Sequence, residues 1–359
     1  MEAWASGVFG ALAALNSAAS VAGNLLVLLL LLLDRELRAE ASALSLSLAL
    51  SDLGLGLSVL PLAAHSSLAG GPAGPGPPLC QAAGFLSVLL QTASLHSLAW
   101  LTLGRYSQLC LALGSGRLWA GRRTLGPLLL LWAFCLLTAA LPLLGVGRYA
   151  YSRSTFLCGP GVEAEAAEAA VAAGGWGFSL YVLLVGALLP LGAVCALQAC
   201  MAATARRQAR RGTFACNRDH CFYVPASSYS RTAGLLLATS GCVLVCWLPY
   251  ICVGVYQAVG GRAVPAEVSC LSAGLLLCCP SLNPWSFSMS HTSYRAALRR
   301  AVARVTPVFY RSGKTPQSPP QSSAHSTTDL ANHSRAAITL HPPPLTPPPP
   351  VTSDLRLPG

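Results

Sequence analysis

Charge is scarce in this 359-residue chain: 10% of its residues are Asp, Glu, Lys or Arg, against 53% that are hydrophobic, and the mean hydropathy is +0.56. A water-soluble globule of this composition would have too little polar surface to cover itself, so the composition indicates a membrane protein. Lysine is scarcer still. Of the 23 basic residues only Lys314 is a lysine, and the net charge of +11 sits in short arginine-bearing segments between apolar runs. That distribution suits the cytoplasmic face of a membrane and argues against a nucleic-acid partner. Catalytic signatures are missing too: there is no Walker loop, no HExxH and no nucleophile elbow, so neither an enzyme nor a cofactor is expected. His65 and His96 lie in or near apolar runs without a second ligand at helical spacing, and no metal site is expected. Cysteine is not scarce, at 14 residues. It lacks both metal-ligand spacing and the density of a small disulfide scaffold, so most of these side chains read as small buried hydrophobes.

What is present is a series of seven apolar stretches, at about 8–33, 42–64, 79–110, 126–146, 172–201, 231–257 and 268–289. Each reaches the roughly 20 residues that a helix needs to cross a bilayer. A spanning segment must satisfy its own backbone hydrogen bonds, and none of these shows the alternation of barrel strands, so all are expected to be helical. The expected fold class is an all-α membrane protein, a seven-transmembrane helix bundle with an amphipathic eighth helix. No internal repeat is visible, which speaks against transporter folds built from duplicated halves. The first, third and fifth connections hold Arg35, Arg38, Arg117, Arg122, Arg123, Arg206, Arg207, Arg210, Arg211 and Arg218, whereas the other side holds Arg148, Arg153 and Arg262. By the positive-inside rule the amino terminus is outside and the tail is cytoplasmic. The opening residues 1-MEAWASG-7 lack a basic region and a cleavage site, so the first span is expected to act as an uncleaved signal-anchor. The expected organisation is an extracellular N-terminus over 1–7, a bundle over 8–291, an amphipathic helix over 292–305 and a disordered tail over 306–359. In 292-TSYRAALRRAVARV-305, Tyr294, Ala297, Leu298, Ala301 and Val302 share one face, with Arg295, Arg299, Arg300 and Arg304 elsewhere. Such a segment lies on an anionic lipid surface. The tail, ending in 342-PPPLTPPPP-350, reads as disordered and partly polyproline II.

Within these spans stand 23-GNLLV-27, 48-LALSD-52, Cys80 with 104-GRY-106, Trp132, Pro190, 246-CWLPY-250 and 283-NPWSF-287, with 25 residues separating Cys80 from Arg105. In joint order and spacing the chain resembles a rhodopsin-like (class A) G-protein-coupled receptor over residues ~8–305. Asp52 is the only carboxylate inside a span, and burying it is expensive unless it is paired, hydrated or ion-bound. The resemblance implies a polar pocket of Asn24, Asp52 and Asn283 that holds water or sodium, with Ser94 and Pro280 as flanking groups. It also implies a disulfide between Cys80 and Cys158, which lie on the oxidising side. Trp247 would form the floor of a ligand pocket beside the hinge at Pro249, and Pro284 would break the seventh helix near the cytoplasm. In the family the arginine of the third helix changes partners on activation and then meets the heterotrimeric G protein, which places Arg105 and Tyr106 at that surface. Ser323, Ser326, Thr327 and Thr328 in the tail become candidate sites for receptor kinases and arrestin. A multi-pass protein of the plasma membrane is implied.

The chain also departs from the family pattern. Gly104 stands where an acidic residue usually precedes the arginine, and Tyr229 stands where the sixth helix would offer a second one. Gln198 and Phe287 replace tyrosines that stabilise the active state, and Val243 replaces a common phenylalanine. Elevated basal signalling and weakened coupling are both consistent with these changes. Ser87 occupies the place of the aspartate of amine receptors, and with Lys314 the sole lysine, Leu277 stands where a retinal-binding lysine would be. A biogenic amine and a visual chromophore are therefore disfavoured. The expected pocket lining is Ser87, Gln91, Tyr181, Tyr250, Gln257 and Leu277 around Trp247, a neutral set that suits a small uncharged or lipid-like ligand, or none. Glu163, Glu165 and Glu168 in the second extracellular loop read as a solvated face. The function expected is a receptor that transmits an extracellular or lipid-phase signal, or constitutive activity, to heterotrimeric G proteins. The alternative is a non-signalling seven-helix scaffold or heteromer partner with a degenerate switch.

Overall fold

A computed structural model describes residues 3–35, 37, 43–69, 75–110, 124–160, 175–210, 213–216, 221–224, 226–260, 264–290 and 292–311. Arg38, Arg117, Arg122, Arg123, Arg211, Arg218, Arg262, the glutamates at 163, 165 and 168 and the tail serines and threonines lie outside the described residues, as do the side chains of Tyr229, Phe287 and Arg304. The chain divides into two units, Met1–Val308 and Phe309–Gly359, and the first holds all seven spans.

Among the described residues, seven helical stretches are long and apolar enough to cross a membrane, from Trp4–Leu33 through Ala266–Ser286. Helix α1 covers Ala3–Leu33. It starts before the expected residue 8, because no proline in its opening turns interrupts the helix. At 1.5 Å per residue it is roughly 45 Å long, more than the ~30 Å hydrocarbon core requires. The second span is two helices, α2 (Ala43–Leu57) and α3 (Val59–Leu68), broken at Ser58. Pro61 lacks the N–H that would have reached the Leu57 carbonyl, and the Ser58 hydroxyl turns back to the Gly54 carbonyl at 2.6 Å. The third span is α4 (Pro77–Leu109) and the fourth α5 (Leu125–Ala140), followed by a 3₁₀ turn. The fifth is α6 (Gly175–Tyr181), a π-helical segment over Val182–Leu188, and α7 (Leu189–Ala209). Pro190 has no N–H to give the turn before it, and the Leu189 N–H reaches back five residues to Leu184. The sixth and seventh spans are α8 (Ala226–Gly260) and α9 (Ala266–Ser290), with Pro249 inside the first and Pro280 and Pro284 inside the second. Helix α10 (Thr292–Arg311) follows.

The helices close into a ring in which α1 packs on α2, α3 and α9, and α4 packs on α2, α5 and α7. Helix α8 completes it against α7 and α9. Leucines point outward, Leu129 at 70% exposed and Leu130 at 74%, as they would toward lipid rather than water. Where α1 meets α9, a Cβ on Gly23 would come 2.9 Å from the Pro284 ring, so that approach requires glycine.

Among the described residues, two hairpins occupy connections. Strands β1 (Tyr149–Ser152) and β2 (Leu157–Pro160) pair with Tyr149 opposite Pro160 and Ser152 opposite Leu157. Strands β3 (Thr213–Cys216) and β4 (Cys221–Val224) form the second hairpin. The bundle remains helical, and the hairpins add strands in loops where none were expected. Helix α10 is docked rather than simply laid on lipid: Tyr294 and Ala297 are buried with Leu28, Leu31 and Leu37. Arg300 donates from Nε and Nη2 to Asp34 Oδ2 at 3.0 and 2.7 Å, and Asp34 Oδ1 accepts the Leu37 N–H at 3.0 Å.

Candidate functional site

The hairpin β1–β2 is fastened to the bundle at three points. Cys158 on β2 is disulfide-bonded to Cys80 in the first turn of α4, with a Cα–Cα distance of 5.4 Å. Tyr149 on β1 lies against Gly84, where an added Cβ would be 2.5 Å from the ring. Its hydroxyl donates to the Ala139 carbonyl at 2.8 Å, its own carbonyl accepts from Gln81 at 3.0 Å, and its edge meets Phe178 with centroids 5.9 Å apart. At the turn Phe156, with φ 55, stacks on Phe9 of α1 at 5.2 Å.

Beneath the hairpin lies a cavity of ≈ 110 Å³. Of the expected lining residues, Ser87, Gln91, Trp247, Tyr250 and Gln257 border it, together with Ser272 and hairpin residues such as Ser154 and Thr155. Tyr181 and Leu277 do not border it. The Tyr181 hydroxyl is shared with Thr138 at 3.2 Å, which turns the ring toward α5. Leu277 is one helical step deeper, on a void of ≈ 10 Å³ that Gln91, Ser94 and Trp247 also border. No charged side chain lines the larger cavity among the described residues. The Trp247 indole is 5% exposed, and its Nε1 is buried without a hydrogen bond of normal geometry.

The polar centre of the bundle is built around Asp52, which is fully buried. Its Oδ1 accepts from the Ser94 hydroxyl at 2.6 Å and its Oδ2 from the Asn283 amide at 2.8 Å. The second, third and seventh spans are thereby tied through one carboxylate. Asn24 does not touch that carboxylate. Its amide donates to the Ser20 carbonyl at 2.9 Å and to the Pro280 carbonyl at 3.0 Å, while the Ser20 hydroxyl donates to the Asp52 carbonyl at 2.9 Å. The first span joins the network through Ser20, and Pro280 contributes its backbone oxygen. Beside it a second linkage joins the Ser47 and Ser97 hydroxyls at 2.9 Å, with the Trp132 Nε1–H donating to Ser47 at 3.0 Å.

At the other end of α4, Arg105 lines a cavity of ≈ 30 Å³ with Gln198, Thr239, Val243 and Asn283. Such a space holds about two waters. Gln198 does more than stand in for a lost hydroxyl: its side-chain oxygen accepts from Thr239 at 3.2 Å and from Ser240, clasping the fifth span to the sixth. Gly104 is buried and its carbonyl accepts from the Ser107 hydroxyl at 2.8 Å. Tyr106 is half-buried next to it, and Pro249, Pro284 and the backbone of Phe287 lie within their helices as placed from the sequence. His96 has its ring on Phe134 at 5.1 Å and Nδ1 at 2.9 Å from the Thr92 carbonyl, a core histidine with its needs met.

Nothing in the sequence singles out Ser20, Ser47, Ser97, Thr239 and Ser240. Hydroxyl residues in apolar helices ordinarily bond their own backbone, so the sequence carries no mark of those that reach a neighbouring helix. The family model described as 7 transmembrane receptor (rhodopsin family) matches residues 23–287. No curated protein matches the chain.

Proposed function

The chain belongs to the rhodopsin family of seven-transmembrane receptors, and on that footing we propose that this multi-pass membrane protein carries a signal from the cavity under its hairpin to heterotrimeric G proteins at the Arg105 end. The observation that carries the reading is a continuous polar column. Trp247 and Gln91 border both the hairpin cavity and the void that Ser94 reaches; Ser94 holds Asp52; Asp52 holds Asn283; and Asn283 borders the cavity of Arg105 and Gln198. Hydrogen-bonded groups on separate helices have discrete alternative partners, so a displacement at Trp247 has a route to the far end.

The arginine distribution supports a plasma-membrane orientation with the hairpin outside and Arg105 facing the cytoplasm. Both Asp52 oxygens already accept hydrogen bonds, and the void that Ser94 borders is only ≈ 10 Å³, so the site is better suited to a junction of side-chain hydrogen bonds than to a sodium cage. Gly104 supplies no carboxylate to restrain the inactive state, which favours measurable agonist-free signalling. Receptor kinases and arrestin would act on the Ser/Thr-rich tail. The scaffold alternative draws on the same substitutions, Gly104, Gln198 and Phe287.

Second-messenger assays for each G-protein class, at matched surface density, separate the two. Receptor function predicts an agonist-free signal that Arg105→Ala abolishes. Silence in every class, with normal surface density, would favour the scaffold.

A further inference from the structure

We propose that Cys216 and Cys221 of the second hairpin join in a disulfide when a hydroperoxide oxidises them, and return to thiols when a dithiol reductant is present. This rests on the orientation proposed for the receptor, which puts the connection between the fifth and sixth spans in the cytoplasm.

Register comes first. Strands β3 and β4 pair antiparallel from Thr213 opposite Val224 to Cys216 opposite Cys221, so the two cysteines are the last partners before the turn. Residues directly opposite in such a pair share a face of the ladder, with Cα atoms about 4.5 or 5.5 Å apart according to how the pair is hydrogen-bonded. A disulfide spans roughly 4.4–6.8 Å between Cα atoms. Either kind of register pair lies within that reach, and no slip of the strands is needed.

Place comes second. Both cysteines lie outside the spans, between Trp176–Ala209 and Arg231–Val259. A water-borne oxidant need not enter the bundle to reach the connection that carries them. The Cys246 and Cys279 thiols are also hydrogen-bonded to each other, but they are 4% and 6% exposed and packed between the sixth and seventh spans. In a compartment that keeps thiols reduced, a pair such as Cys216 and Cys221 senses oxidants rather than holding the fold together. A crosslink that closes so short a loop gains little from chain entropy, which leaves it open to reduction.

The chemistry balances with hydrogen peroxide as the oxidant. One thiolate attacks a peroxide oxygen, the O–O bond breaks, and a sulfenic acid forms while the other oxygen leaves as water after taking a proton. The second thiolate then attacks the sulfenic sulfur, forming the S–S bond and expelling hydroxide, which takes a proton to become the second water. Two thiols and one peroxide thus give one disulfide and two waters, the sulfurs losing the two electrons that the peroxide gains.

Arg218 stands between the two cysteines, so trypsin releases them on separate peptides, 212-GTFACNR-218 and 219-DHCFYVPASSYSR-231. The full chain in cell membranes is treated with graded hydrogen peroxide, capped with N-ethylmaleimide, and digested without reduction for mass spectrometry. Before peroxide, both peptides should carry the maleimide tag. After it, both tags should be lost together and the two peptides should appear as one linked species, which dithiothreitol added before capping returns to two tagged peptides. In Cys216→Ser the Cys221 peptide should stay unlinked. The wild-type comparison needs no variant, so poor folding of Cys216→Ser leaves the test intact. The proposal is overturned if both tags survive peroxide, if either cysteine is recovered as a sulfinic acid or joined to a third cysteine, or if dithiothreitol does not restore the tags. A linked species already complete before peroxide would also overturn it, and would count against the orientation as well. No G protein takes part, so failure here beside an intact agonist-free signal leaves the receptor reading standing.

Discussion

Gln198 shows how one residue can be read two ways. From the sequence it is the loss of a tyrosine hydroxyl; in the fold its amide oxygen collects two hydroxyls of α8. Gln198→Leu keeps the volume and removes the acceptor. Thr239 still bonds the Leu236 carbonyl at 3.0 Å, but the buried Ser240 hydroxyl loses its cross-helix partner. The expected cost is about 1–3 kcal/mol, seen as a lower unfolding temperature together with a higher agonist-free signal. Unchanged stability would show that the clasp contributes nothing. Gly104→Asp works in the opposite sense, adding a carboxylate beside Arg105 that the chain's own glycine does not supply. Partly exposed pairs contribute ~0.2–1 kcal/mol, so basal signalling should fall by up to about fivefold at equal surface density. A rise would sink the idea that an acid here restrains the inactive state. At this scale, Asp52 and Asn283 were legible because a carboxylate in an apolar run has few innocent explanations. Ser20, which joins the network through the Asp52 backbone carbonyl, was not, since a serine in such a run has many.

The spanning elements were legible almost to their ends, because hydropathy over twenty residues is a strong signal and the alternatives to a helix in lipid are few. Their interruptions were not. Pro61 is compatible with a kink, a break or the first turn of a new helix, and only the turn at Ser58 decides among them. The π-helical turns ahead of Pro190 and the four-residue strands of the hairpins are shorter than any window in which periodicity shows. Hairpin placement depends instead on single close approaches. Gly84→Ala would put a methyl group 2.5 Å from the Tyr149 ring, whose hydroxyl and carbonyl are both held by hydrogen bonds. A destabilisation of about 1–3 kcal/mol is expected, with reduced surface density. Gly126→Ala, whose Cβ would meet nothing within 4 Å, should be silent in the same assay. Equal behaviour of the two variants would show that Tyr149 does not hold the hairpin.

Across the whole molecule, α10 is tied to the end of α1 by Asp34 and Arg300 as well as by apolar packing. The sequence assigned all four arginines of that segment to lipid; Arg300 faces protein instead, and Arg299 is exposed. Composition could not separate them, because lipid phosphate and Asp34 reward the same charge. With Arg300 40% exposed, the pair contributes no more than ~1 kcal/mol. Asp34→Asn should therefore leave the bundle folded while speeding amide hydrogen exchange over 294–301 by up to about fivefold; exchange at the original rate would assign the docking to packing alone. The hairpin raises a different matter, that of time. It is anchored to α4 by the disulfide and to α1 through Phe156 on Phe9, so it spans the mouth of the ring like a strap held at both ends. Arrival and departure of an occupant then share one obstacle, and easing that obstacle hastens both without changing their ratio. Occupancy at equilibrium would be set by the walls below, whereas how long a signal outlasts its source would be set by the strap above.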